Sequence, residues 1–162
     1  MKELKKDQLD FWNMYLSTLA KDDIPSDPDI LVMPAGNLSI TDELIALYKQ
    51  GKKSAGSGLL EDYQSMGDPL PKVNDFWIVL DSKESPAILL KTVKVELNKY
   101  KDLPEYIAIA EGEDDLSVES WKRLHSEFFT PFLEKWGVKN LDEATVITEF
   151  FQVVYPALNT FG

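Results

Sequence analysis

The chain has no cysteine, which excludes disulfide scaffolds, thiol nucleophiles and thiolate metal sites. A single histidine, His125, rules out a His-cluster metal site and leaves one imidazole for acid–base chemistry. A metal held by carboxylates alone has no loop motif behind it, so neither metal nor cofactor is expected. No apolar run approaches the roughly 20 residues that span a bilayer, and the opening MKELKKDQLDFW lacks the apolar core of a signal peptide. A cytoplasmic protein without a membrane partner is the expectation. Basic charge is also scarce: 17 Lys+Arg stand against 28 Asp+Glu, a formal charge of −11. Long polyanions bind by releasing counterions to a basic surface, and the densest basic groups here are only Lys2, Lys5 and Lys6, then Lys52 and Lys53. Long nucleic acid is therefore not expected. A small site for one nucleoside, a nucleotide or an RNA end is compatible with this charge.

The rest of the composition is that of a globular protein. With 44% hydrophobic and 28% charged residues, 162 residues can bury one core and are too few for two ordinary domains. Residues 1–162 read as a single domain, as a monomer or weak homodimer, without repeat or linker. Residues 4–21 read as an amphipathic helix, with Leu9, Trp12, Leu16 and Leu19 near helical spacing, stopped by Pro25 and Pro28. Residues 1–24 would thus form an N-terminal helical extension. A short apolar piece follows at residues 30–33. Thr41 reads as the N-cap of a second helix that ends at Gly51.

Residues 52–58 look like a loop of small residues leading into a short helix around residues 59–63. DFWIVL (75–80) and AILLKTVKVEL (87–97) flank a polar turn and predict an antiparallel hairpin. Ser117 should cap a long helix holding Trp121, Leu124, His125, Phe128, Phe129 and Phe132, one stripe of which must be buried. TVITEFFQVVY (145–155) reads as a final strand. Elements mix without a βαβ rhythm, which predicts an α+β fold with a mostly antiparallel sheet or small barrel.

Three places could carry chemistry. In Gly51-Lys52-Lys53-Ser54-Ala55-Gly56-Ser57-Gly58, small residues let a ligand approach the backbone, and a lysine can hold an anion or act as a base. The plainer reading is a helix end and a loop with solvated lysines; the glycine spacing is not that of a P-loop. In Glu111-Gly112-Glu113-Asp114-Asp115, a glutamate could serve as general acid or base, or the acids could simply stabilise the following helix N-terminus. Trp121 and His125, four apart, share a helix face, where a lone histidine is more often a hydrogen-bonded core residue than a catalyst. His125 is therefore expected to be mostly buried, with one ring nitrogen hydrogen-bonded.

The first two segments, with Leu116-Ser117, Trp121, His125 and Phe128-Phe129, resemble the ASCH domain family (activating signal cointegrator 1 homology), most closely its compact bacterial branch. The likeness covers residues 33–156. It implies a PUA-like β-pseudobarrel, mostly antiparallel with about five to six strands and surrounding helices, and a cleft lined by both motifs. Gly51 and Lys53 match the family pattern Gly-x-Lys-x-x-Thr-x-Arg; Gly56 stands where threonine is expected and Gly58 where arginine is.

By resemblance the function is RNA-linked, and some small bacterial members resemble amidohydrolases that deacetylate an acetylated cytidine nucleoside. In that reading Lys53 is a base, Glu113 an orienting or proton-shuttling carboxylate, and Ser57 or Ser54 the substitute hydroxyl nucleophile. Gly51, Lys53, Glu111, Trp121 and Trp77 would contact the ligand. The alternatives are a non-catalytic module binding RNA or a nucleotide, with Trp77 or Trp121 stacking on a base, and a protein-interaction domain, for which no residue speaks. Lys53 and Glu113 should face one cleft, with Lys52 pointing away.

Overall fold

The computed structural model describes residues 3–158; the first two and last four residues of the single-domain reading lie outside the described residues. Five strands form one mixed sheet in the order β1-β3-β4-β5-β2: β1 Ile30–Pro34, β2 Ala55–Leu59, β3 Phe76–Leu80, β4 Pro86–Lys99 and β5 Thr145–Tyr155. Five α-helices accompany it: α1 Lys6–Leu16, α2 Thr41–Lys49, α3 Leu60–Met66, α4 Glu105–Glu111 and α5 Val118–Phe129. The fold is α+β, of the expected pseudobarrel class. No helix among the described residues is long and apolar enough to cross a membrane.

Two compact units divide the chain. One comprises residues up to Gly51, Val73–Val93 and those from Phe151 onward. Strand β3 is buried on both faces, which is why FWIVL reads as an unbroken apolar run, whereas β1 leaves Leu31 and Met33 exposed. Phe76, Ile78, Leu80 and Leu89 join Trp12, Tyr15 and Ile30 in one cluster, whereas Val79, Ile88 and Leu90 join Ala35, Ile45 and Tyr48 in another. The expected hairpin is present, β3 pairing antiparallel with β4 from Phe76↔Lys91 to Leu80↔Pro86.

One apolar piece gains its assignment in this unit, and two expectations are corrected. The apolar piece at residues 30–33 is strand β1, and it runs parallel to β3 in register Ile30↔Phe76, so the sheet is mixed. Helix α1 stops at Leu16 and buries Gln8, Trp12 and Tyr15, while Leu9 is exposed. Thr41 is not a cap. It is fully buried inside the first turn, its hydroxyl accepting from Ala35 N–H (2.9 Å) and donating to the Leu80 carbonyl (2.7 Å), and Ile40 holds the cap position.

The second unit comprises Lys52–Lys72 and Lys94–Phe150. Here the small-residue loop is in fact strand β2, paired antiparallel with β5 from Ala55↔Phe150 to Leu59↔Val146. Glycine has poor strand propensity, but a ladder needs only backbone groups, and both glycines lie in register with β5 residues, Gly56 with Glu149 and Gly58 with Ile147. The α4–β2–β5 core gathers Leu59, Tyr100, Leu103, Ile107, Ala108 and Val146, and α5 packs on it through Trp121 and Phe129. Ser117 caps α5 as expected, accepting from Ser120 N–H at 3.0 Å, and Asp115 anchors the cap by accepting from the Ser117 amide and hydroxyl.

The expected α5 stripe is corrected: Trp121, His125 and Phe129 form it at intervals of four. Phe128 lies off that face, and Phe132 falls in a 3₁₀ turn after the helix end, so both are exposed.

Candidate functional site

Glu111 organises the site. It is the last residue of α4, and its side chain is 3% exposed. Gly112 follows with φ +67, and the Lys52-Lys53-Ser54 backbone lies directly against it: a Cβ on Gly112 would stand 1.9 Å from the Lys52 carbonyl oxygen. That contact makes the two sequence motifs neighbours. Ser54 N–H donates to the Ala110 carbonyl (2.7 Å) and Lys53 Nζ to the Glu111 carbonyl (3.1 Å), so a cation satisfies the negative end of helix α4.

Lys53 is buried, with Nζ 3.9 Å from Glu111 Oε1 and 3.7 Å from Glu113 Oε2. Glu113 is the open member, at 31% exposure, while Lys52 is exposed. Strand alternation turns Ser57 to the same face as buried Ala55 and Leu59. Its Oγ donates to Glu111 Oε2 at 2.8 Å and lies 2.7 Å from Thr148 Oγ1, its β5 partner in register. Ser57 has one hydroxyl proton and the carboxylate takes it, so Thr148 is the donor in the second bond.

Two aromatic residues complete the Glu111 environment. The Trp121 indole N–H donates to Oε2, and His125 Nε2 lies 3.3 Å from Oε1. The His125 ring stacks on Trp121 at 3.8 Å, and its Nδ1 meets the Trp121 carbonyl at 2.8 Å; the ring is largely buried, as expected. Burial opposes ionisation of Glu111. The His125 hydrogen bond and charge, Lys53 and the Trp121 N–H together outweigh it, so the carboxyl is held below its usual range.

Glu111, Glu113 and His125 offer atoms within 4.8 Å of one another and could in principle hold a metal ion, a mixed set that counting histidines alone does not reveal. The Lys53 ammonium lies within 4 Å of both carboxylates, so a cation of the chain already offsets one of their two charges.

Of the residues singled out from sequence, Lys53, Ser57, Glu111, Glu113, Trp121 and His125 are brought together. Ser54 is exposed, its hydroxyl 3.5 Å from the Ala110 carbonyl. Gly51 and Trp77 belong to the other unit. Gly51 closes α2 with φ +73, and Trp77 donates to the Met33 carbonyl and packs on Tyr48 and Phe151. Trp121 has one ring face covered by His125 and is 4% exposed. Sequence reasoning missed Thr148, whose only signal is its register opposite Ser57. It also gave Glu113 the central place that Glu111 occupies.

A family model for the ASCH domain matches residues 31–155. The chain belongs to the ASCH family. The solved ASCH domain of Lactobacillus crispatus JV V101 matches with a TM-score of 0.86 at 22% identity, covering 96% of this chain and 99% of that one. A protein of Enterococcus faecalis V583 matches with a TM-score of 0.76 at 25% identity, covering 91% and 88% respectively. No curated protein is a significant match. This ASCH domain therefore shares its fold with solved relatives, and its chemistry has to be argued from its own residues.

Proposed function

We propose that this ASCH domain binds a pyrimidine nucleoside carrying an acyl group on its exocyclic nitrogen and hydrolyses that amide. The family is associated with RNA or nucleotide ligands. The observation that carries the hydrolytic reading is the Ser57 hydroxyl, 2.8 Å from a buried carboxylate that Lys53 flanks, which is the setting of an oriented nucleophile. Gly56 at the family's threonine position removes one hydroxyl, and Ser57, on the other face of β2, supplies another to Glu111.

In the reaction, Ser57 Oγ forms a bond to the acyl carbon and the carbon–nitrogen bond breaks. The serine proton passes through a carboxylate of the cluster to the departing exocyclic nitrogen, and water then releases the acid from the serine ester. Lys53 is placed to stabilise the oxyanion or to move the proton, and Glu113, open to solvent, accepts from the ligand's N–H groups. The acidic chain suits a small uncharged nucleoside better than a polyphosphate.

A binding-only reading draws on one fact: Glu111 accepts from Ser57, Trp121 and His125 and is held in its ionised form, which makes it a weak proton acceptor. The experiment is acid release from a panel of acylated nucleosides by the wild type and Lys53→Ala, with calorimetric binding alongside. Turnover lost in the variant supports hydrolysis; binding without turnover supports the module; neither refutes both.

A further inference from the structure

Both ring nitrogens of His125 face oxygen acceptors. The Trp121 carbonyl can only accept, so Nδ1, 2.8 Å away, carries a proton. Nε2 then meets Glu111 Oε1 at 3.3 Å. A ring protonated on Nδ1 alone would aim a bare lone pair at an ionised carboxylate, two acceptors facing each other in a buried place. One further proton must lie between Nε2 and Oε1.

We propose that His125 is a positioning residue that shares this proton with Glu111 and thereby fixes Oε2 toward Ser57. Its functional meaning rests on the hydrolytic reading above, although the proton itself does not. Stacking on Trp121 at 3.8 Å, with Phe129 at 5.7 Å, holds the ring plane, and the Trp121 carbonyl on Nδ1 sets its orientation within that plane. The relay runs from the Trp121 carbonyl through His125 and Glu111 to Ser57, with Thr148 donating to Ser57 from β5. The charged groups around it come from every packed segment: Glu111 from α4, Glu113 from the turn after it, and Lys53 from the segment before β2. With Glu111 oriented from one side by His125, its other oxygen has a single arrangement in which both Trp121 N–H and Ser57 O–H are satisfied.

His125 is the only histidine, so ¹⁵N-histidine labelling gives one ring to observe. The wild-type ring should show a protonated Nδ1 and an Nε2 hydrogen-bonded to Glu111, and Glu111→Gln should keep Nδ1–H while changing the Nε2 signal. A bare Nε2 in the wild type, or identical ring signals in the two proteins, overturns the shared proton. With acylated cytidine, His125→Gln should lower kcat by about tenfold or more with KM nearly unchanged; an unchanged kcat overturns the positioning role. Absence of turnover in the wild type refutes the hydrolytic reading. In that case the positioning role falls with it, while the ring spectra still decide the shared proton. The wild-type spectrum stands by itself if either variant fails to fold.

Discussion

Replacing Gly112 by alanine is a direct probe of how the two motifs are joined. Gly67 provides the matched control: it closes α3 at φ 67, ψ 21, as Gly112 closes α4 at φ 67, ψ 20. A side chain in this left-handed region costs roughly 1 kcal/mol at either position. At Gly67 nothing lies within 4 Å of the added Cβ, so Gly67→Ala should cost only that. At Gly112 the Cβ would meet the Lys52 carbonyl oxygen at 1.9 Å, its carbon at 2.7 Å and Lys53 Cα at 3.1 Å. These are backbone atoms, which cannot swing aside as a side-chain tip would.

The Lys52-Lys53-Ser54 segment must retreat by roughly an ångström or more. That stretches the Ser54–Ala110 amide bond and pulls Lys53 from the Glu111 carbonyl, each worth about 1 kcal/mol net. Gly112→Ala should therefore cost about 3–4 kcal/mol. Urea titration should separate the variants by about 2–3 kcal/mol, and their melting temperatures by about 4–12 °C at the usual 2–4 °C per kcal/mol for this size. Equal losses in the two variants would refute the claimed backbone approach.

Three further outcomes test other parts of the structure. The folded Glu111 carboxyl sits below its usual value of 4.5, so its contribution to stability is complete above that pH and is lost as pH falls through the lower folded value. The wild type should lose stability below about pH 4.5 more steeply than Glu111→Gln; parallel acid profiles would contradict the assignment. Ser117→Ala should cost about 1 kcal/mol by urea titration through loss of the α5 cap, with no change expected if the cap were incidental. Burial first, then the charges of Glu149, Asp62 and Asp68, push the Tyr63 phenol up to about 12, so ultraviolet titration should show its tyrosinate forming well after those of exposed tyrosines.

Much of the fold is legible because local chemistry agrees with tertiary position. The 75–97 hairpin shows as apolar runs around a polar turn, and the Ser117 cap as a hydroxyl before an amphipathic stripe. The reading fails where long-range contacts overrule local preference. Gly56 and Gly58 disguise β2 as a loop, since its strand character comes from pairing with β5. With β2 hidden, nothing in the chain places Thr148 beside Ser57. Thr41 looks like a cap because Asp42 and Glu43 follow it, yet Ala35 and Leu80 claim its hydroxyl. At the site, Lys53 and Glu113 could be named from family likeness. The central role of Glu111 depends on helix α4 ending there, with its side chain turned inward to Trp121 and His125.

The most direct test of the site's chemistry is acid release from cytidine acetylated on its exocyclic nitrogen, followed for the wild type and Ser57→Ala with nucleoside binding measured on both. The account predicts turnover by the wild type, a loss of about a thousandfold or more in the variant, and binding retained. Equal rates in the two proteins, or no release by the wild type, would contradict it.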